Sequence, residues 1–241
     1  MARLTLTWLA DHDRVPDTAL DIATGTGAAA LELVRHGVQV SGIDLSNEML
    51  EVARSNAAAG GVHVSFNPGD VRSFSIPTPV ELVSCFYDSL NYLLTEQDLL
   101  ETFRSVHAAL IPGGWFVFDI NTLLRYSTAW NNATEVAYLD ATTLVIYRST
   151  FDPATGISPL TLTVFERESE DGEHWRRWDE QHDERGYPLS DVQGLLTVAG
   201  FKDVSIEQLN ERMMALEGPA SERSNRAVFF CQKPFESERK S

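Results

Sequence analysis

The stretch Ala19 to Val34, ALDIATGTGAAALELV, constrains the fold more than any other part of the chain. An apolar run breaks at Gly25-Thr26-Gly27, and small and apolar residues at helical spacing follow at once. Glycines admit the left-handed backbone of a tight turn and let another group approach closely. The helix that follows presents free N–H groups in its first turn. A buried strand that runs through a glycine turn into a helix opens a parallel α/β unit.

The same rhythm continues. Residues 2–10 read as a short helix, TALDIA as a buried strand, 27–36 as a helix and VQVSGIDL as a second strand. Ser46 caps a helix over 46–58, and VHVSFNPGD and VELVSCFY are further strands. Thr95 caps a helix over 96–110, IPGG stops it, and WFVFDIN is a fifth strand. After Asn121 the pattern changes. TTLVIYRSTF, LTLTVFERE and HWRRWDEQHDE alternate apolar and polar residues, with turns at Asp152–Gly156 and Asp171-Gly172. That period of two predicts an antiparallel meander. The helical pattern resumes at PLSDVQGLLTVAGF, where Ser190 and Gln193 form a capping box, and VSIEQL and RAVFFCQK close the chain. The expected architecture is an α/β three-layer sandwich whose mostly parallel seven-stranded sheet comes from residues 1–121 and 188–241. An antiparallel sheet over residues 122–187 is inserted in it.

Charge narrows the function. With 19 Lys and Arg against 35 Asp and Glu, the formal net charge is −16, which repels nucleic acid and anionic membrane surfaces. Cys85 and Cys231 lie in apolar strands, and no Cys or His cluster has metal-ligand spacing, so no metal is expected. Neither a signal peptide nor an apolar run of membrane-spanning length is present, which points to the cytoplasm.

As a pattern, Gly25 to Ala30 satisfies the dinucleotide fingerprint G-x-G-x-x-A, with Asp44 near the place of a ribose-binding acid. A nicotinamide-dependent oxidoreductase is one reading of it. The surrounding charge argues against that reading. Ligands of an open parallel sheet bind outside the carboxyl ends of the strands. There the sequence puts Asp21, Asp44, Asp70, Asp88 and Asp119, and only Arg72 as a nearby cation. One such acid is an ordinary turn former or helix cap; a succession of them is harder to explain so. A diphosphate is disfavoured, whereas S-adenosylmethionine, with a sulfonium and an ammonium against one carboxylate, suits the place.

In combination the motifs resemble the class I S-adenosylmethionine-dependent methyltransferases. ALDIATGTG is similar to the glycine-rich first motif, VSGIDLSNEMLEVAR to the second, NPGDVRSF to the adenine-binding motif and LIPGGWFVFDIN to the fifth-strand segment. SCFYDSLNYL and the meander ending DEQHDERGYPLSDVQGLLTVAGF resemble a subgroup related to glycine and amino-sugar N-methyltransferases. The resemblance implies a Rossmann-like fold in which the antiparallel sheet roofs the acceptor pocket. It implies that the backbone at Ala23, Gly25 and Gly27 holds the amino acid end of the cofactor, with Asp21 oriented towards its ammonium. Asp44 would take the ribose hydroxyls, Leu45 and Met49 would pack near the adenine, and Asp70 and Val71 would hold the ring. Phe86 would lie beside the methionine portion, and Asp88, Asn91 and Tyr92 would line the acceptor side. The family has a longer segment before its first strand, so either its lid is shorter here or the start has been trimmed.

Methyl transfer is an in-line displacement that needs alignment first, and a base only where the acceptor arrives protonated. Asp88 and Tyr92 are the catalytic candidates. His182 and Arg185 are substrate-binding candidates from the roof, and Tyr187 lies close to them in sequence. Trp130, Trp175 and Trp178 are expected to pack between insert and sheet, and the other histidines share no spacing. The expected partner is a small-molecule methyl acceptor met by a monomer or homodimer. The alternative is a protein that binds the cofactor without transferring its methyl group.

Overall fold

Strands that are apolar on both faces must be covered on both faces, and that requirement sets the layering. The structure, a computed structural model, describes residues 1–168, 174–210 and 212–235. The first half runs α1 (Ala2–Asp11), β1 (Thr18–Ile22), α2 (Ala28–Arg35), β2 (Gln39–Asp44), α3 (Asn47–Ala59), β3 (Ser65–Pro68) and β4 (Val80–Cys85). A 3-10 turn (Ser89–Tyr92), α4 (Glu96–Ala109), β5 (Leu110–Asn121) and α5 (Leu123–Ser127) follow. Then come β6 (Ala133–Leu139), β7 (Thr143–Ser149), β8 (Ile157–Arg167) and β9 (Trp175–Arg185). The chain closes with α6 (Leu189–Ala199), β10 (Lys202–Leu209), β11 (Leu216–Pro219) and β12 (Arg226–Gln232).

The main sheet has the order β11-β10-β12-β5-β4-β1-β2-β3, parallel from β5 to β3 and antiparallel from β5 to β11. Alternate residues feed opposite cores. Ala227, Phe229 and Cys231 join Phe116 and Phe118 beneath α4 and α6, while Val228 and Phe230 join Leu82 and Val117 beneath α1, α2 and α3. The Phe118 and Phe229 rings stack at 4.7 Å. Burying such a ring contributes about 1.5–3 kcal/mol, so this cross-strand column ties the antiparallel edge to the parallel block.

Both expected caps are present: Ser46 Oγ accepts from Met49 N and Thr95 Oγ1 from Asp98 N. Elsewhere the chain departs from expectation. Among the described residues the sheet has eight strands, because the short β11 adds an edge beyond the expected seven. The small antiparallel sheet, ordered β6-β7-β8-β9, gains β6, whose residues are exposed almost throughout and so carry no burial pattern. IPGG does not lie between helix and strand but inside β5, where the register with β4 shifts and Gly113 takes φ +81°. The Ser190–Gln193 capping box does not form. The helix starts at Leu189, whose N–H donates to Glu222, and Ser190 Oγ bonds Asp191. The turn at Asp152–Gly156 is closed by Gly156 N donating to Asp152 O, and Asp171-Gly172 lies outside the described residues.

The base of the small sheet is fastened to the main one. Thr122 bridges Tyr187, and Tyr187 Oη donates to Leu93 O. Trp130 packs edge-on to Tyr126 and beside Tyr147, whereas Trp175 and Trp178 are partnered by Arg167 and Arg176 of their own hairpin.

Gly27 precedes α2 at φ +79°, and a Cβ there would stand 2.9 Å from Phe66 and 3.2 Å from Ala53. Gly25 has φ +54° with nothing within 4 Å of the same position. Gly27→Ala should therefore lower the unfolding free energy by about 2–4 kcal/mol, through left-handed strain plus overpacking. Gly25→Ala should lose only the strain component, about 1–2 kcal/mol. Urea denaturation of the two variants checks the difference.

Candidate functional site

The strand order reverses at β1: the chain builds β2 and β3 on one side of it, then crosses to β4 and β5 on the other. Such a switch point opens a crevice at the carboxyl ends of the two strands beside it. A cleft of about 240 Å³ lies there, walled by Ala23 to Thr26 after β1, by Phe86, Tyr87 and Ser89 after β4, and by Met49 of α3.

The acids at these strand ends do different work. Asp21 is buried beneath the glycine turn, accepting from Thr24 Oγ1 and Ser84 Oγ, each at 2.6 Å. Burial pushes its carboxyl up to about 6 against those two hydrogen bonds, and Asp44 adds to the rise. Asp44 Oδ2 accepts from Gly25 N at 2.7 Å and Oδ1 from Ser46 N at 2.9 Å, so one side chain orients the turn and the start of α3. Leu45 and Met49 beside it are 74% and 47% exposed, unusual for large apolar residues at a strand end and suited to cover a flat ligand. Asp70 pairs with Arg72 at 2.6 Å, which holds its carboxyl low, and Arg72 also reaches Asp98 at 3.0 Å. Val71 packs at the edge of the main core, and Phe86 is buried in the wall of the cleft.

On the other side, the loop after β4 turns through two left-handed residues, Tyr87 at φ +62° and Asp88 at φ +54°. Buried Asp119 holds it, accepting from Tyr87 N at 2.8 Å and Asp88 N at 3.2 Å. Arg226 completes the cluster: Nε donates to Asp119 at 2.6 Å, and Nη2 reaches both Asp119 and Asp88. This corrects the expectation that Arg72 is the only cation near the strand ends. β12 is antiparallel, so its first residue lies where the parallel strands finish.

The residues expected on the acceptor side separate into two sets. Tyr92 is 46% exposed, and His182 stands edge-on to its ring at 5.7 Å, so the 3-10 turn and β9 meet there. His182 Nε2 lies 3.6 Å from Glu180. Asn91 is fully buried instead. Its amide donates to Asn121 O and Arg185 O and its oxygen accepts from Asn121 N, which makes it a strap rather than a lining residue. Arg185 Nη1 donates to Leu94 O at 2.9 Å and the guanidinium lies over Tyr187, so its side chain braces the loop after the turn. Glu184 was not expected at the site. It is buried on β9 and accepts from Tyr126 Oη at 2.6 Å. The signal for it was present, since Glu184 is two residues from His182 and so shares its face of the strand.

With this geometry in place, similarity to known proteins falls on the same region. A family of methyltransferase domains matches residues 19–114, from β1 into β5. A Bacillus subtilis (strain 168) protein named "Putative methyltransferase YqeM" is 30% identical over 187 residues, 76% of this chain and 72% of that one. The chain belongs to the methyltransferase family. Two solved structures share the fold of this methyltransferase. One, an S-adenosylmethionine-dependent methyltransferase from Clostridium acetobutylicum ATCC 824, has a TM-score of 0.85 at 24% identity over 97% of this chain and 90% of its own. The other is CalS10, an amino pentose methyltransferase from Micromonospora echinaspora, with a TM-score of 0.75 at 18% identity over 96% and 89%. Among the methyltransferase's described residues, no helix is long and apolar enough to cross a membrane.

Arg226→Met should destabilise by about 3–5 kcal/mol, because it leaves buried Asp119 without its counter-charge. The double variant with Asp119→Leu should recover much of that loss in urea denaturation. Asp21 gives a pH signature. Its folded carboxyl holds a proton more tightly than the unfolded chain does, so its contribution falls as pH rises from 3.8 to about 6. Asp21→Asn removes that slope. Its stability relative to the wild type should rise across this window and level off above it, in urea titrations at successive pH values.

Proposed function

We propose that this protein moves the methyl group of S-adenosylmethionine to an amine nitrogen of a small molecule. The observation that carries the reading is the cleft at the switch point, open over Gly25 and lined by Asp21, with Asp44 bonded to Gly25 N and Asp88 next in sequence to the lining residues Tyr87 and Ser89. The residues present fit the cofactor. No heavy atom stands within 4 Å of the place of a Cβ on Gly25, so the backbone is open to a close-lying ligand. Each Asp44 oxygen accepts one backbone N–H and keeps lone-pair capacity for ribose hydroxyls. Leu45 and Met49 offer apolar cover for the adenine, Asp70 and Val71 would hold its edge and face, and Ala23, Gly25 and Phe86 would receive the methionine portion. When bound, the cofactor supplies a methyl group on a positively charged sulfur that leaves as a thioether.

The rest is supplied by the chain. The left-handed loop held by Asp119 and Arg226 sets the height of Asp88 and of the 3-10 turn that carries Tyr92. On the acceptor side Arg226 is shared between Asp119 and Asp88, and Glu184 and Glu180 add further acids, so negative charge is in surplus. Such a surface receives an ammonium and repels a phosphate or carboxylate. The fold shared with CalS10, an amino pentose methyltransferase, supports an amine acceptor.

Isothermal titration should show S-adenosylmethionine and its demethylated product binding in the micromolar range. Labelled methyl should then pass to amines in a panel of amino sugars, amino acids and catechols, and not to the catechols. Absence of cofactor binding by the folded protein would sink the proposal, and transfer to catechols alone would overturn its amine component. Asp44→Ala should weaken cofactor binding by about tenfold or more, since charge-assisted hydrogen bonds contribute about 1.5–3 kcal/mol each. The same titration measures it.

A further inference from the structure

Two aromatic residues line the cleft at the switch point, and they are built into it differently. Phe86 is buried in the wall, whereas Tyr87 is 51% exposed. Tyr87 also takes φ +62°, a left-handed conformation that a bulky residue rarely adopts, and Asp119 keeps it there by accepting from Tyr87 N at 2.8 Å. Strain of this kind persists only where the surroundings over-determine it, and it collects at sites that bind or react. Here it leaves an exposed aromatic ring on the wall that stands opposite the glycine turn. The cleft measures about 240 Å³, so a ligand lying over Gly25 is close to both walls.

The acids around the cleft already have partners. Asp21 accepts from Thr24 and Ser84, Asp44 from Gly25 N and Ser46 N, and Asp119 and Asp88 share Arg226. Among the described residues no lysine or arginine lines the cleft. The face of Tyr87 is unspent: among the described residues no second ring and no guanidinium stacks on it. The negative face of a ring attracts a cation that comes within about 6 Å of its centroid. Burial first, then the charges of Asp119 and Asp21, push the Tyr87 hydroxyl up, so the ring is a neutral phenol in a negative field.

We propose that Tyr87 tells the loaded cofactor from the spent one. Its ring holds the sulfonium of S-adenosylmethionine and has no comparable hold on the neutral sulfur of S-adenosylhomocysteine. The proposal rests on the methyl-transferring function above. On transfer the bond from sulfur to the methyl carbon breaks, and the sulfur keeps the electron pair and loses its positive charge. The lone pair of the acceptor nitrogen forms the new bond, and the nitrogen takes the charge. The contact that favours loading is thus lost as the product forms, and the spent cofactor is held less tightly than the one that replaces it.

The acids favour a sulfonium too, so the share of the ring is read from variants. Isothermal titration of the wild type, Tyr87→Phe and Tyr87→Leu with S-adenosylmethionine, and separately with S-adenosylhomocysteine, gives the ratio of the two affinities. That ratio should be unchanged in Tyr87→Phe, which keeps the ring. It should be about threefold to tenfold lower in Tyr87→Leu, which keeps only the bulk. A ring-fluorinated phenylalanine at the same position withdraws charge from the face and preserves the shape. It should lower the ratio likewise, and it decides the matter if the leucine variant does not fold. A ratio that survives loss or fluorination of the ring, equal weakening of both ligands, or a fall as large in Tyr87→Phe as in Tyr87→Leu overturns the proposal. Binding of neither ligand by the folded wild type counts against the proposed function instead.

Discussion

The Asp119–Arg226 pair sits at the seam between the parallel and antiparallel halves of the sheet, and the site's geometry hangs from it. Arg226 lies opposite Asn121, one diagonal step from Asp119 on the same face of the sheet. That juxtaposition requires an antiparallel last strand, because only then does a strand begin where β5 ends. Through it Asp119 stays paired while buried and offers its oxygens to Tyr87 N and Asp88 N. Two non-glycine residues in the left-handed region cost about 1–2 kcal/mol each. Hydrogen bonds to a charged carboxylate contribute about 1.5–3 kcal/mol each, enough to hold the loop in that shape. The strained turn after β4 is thus maintained by a strand more than a hundred residues further along the chain.

A second set of contacts fixes the small sheet against the 3-10 turn. Asn91 bonds to the main chain at Asn121 and Arg185, Tyr187 to Leu93, and Arg185 to Leu94, so the 3-10 turn and the end of β9 are sewn together by buried polar groups that leave little freedom. A buried amide of this kind is costly unless satisfied, and Asn91 is satisfied wholly by backbone. The consequence reaches the site directly. Arg185 and Glu184 are adjacent on a strand, so fastening one against the loop directs the other inward, towards Tyr92 and Tyr126.

What could be read from sequence is what local chemistry decides. Ser46 and Thr95 cap helices through atoms three residues away, the glycine turn declares itself by composition, and the acids at strand ends follow from where strands stop. What escaped was decided at long range. Leu189 begins its helix because Glu222 accepts its N–H, and no pattern around Ser190 could disclose that. β6 is mostly exposed, so alternation had nothing to reveal, and β11 is too short to show a period. Arg226 at the site required knowing the direction of β12. The resemblance put Asn91 beside Tyr92 on the acceptor side, but a 3-10 turn places adjacent side chains on different sides.

The preference for a cation that the proposed function needs would come from buried acids and not from the overall charge of the molecule. Surface acids are screened within about 10 Å at ordinary salt and would attract any cation weakly. Asp21 under the glycine turn and Glu184 on β9 are buried, and burial raises both carboxyls towards neutrality, to about 6 and about 7. Each is therefore held where its charged form is disfavoured, and a positive charge close by relieves that penalty in a medium where screening is poor. The relief is reciprocal: a bound cation lowers the carboxyl, and an ionised carboxyl strengthens the cation's binding. Asp21 lies in the wall of the cleft, and Glu184 is buried against Tyr126 at the base of the small sheet. Arg226, the cation nearest these strand ends, is held by Asp119 and Asp88.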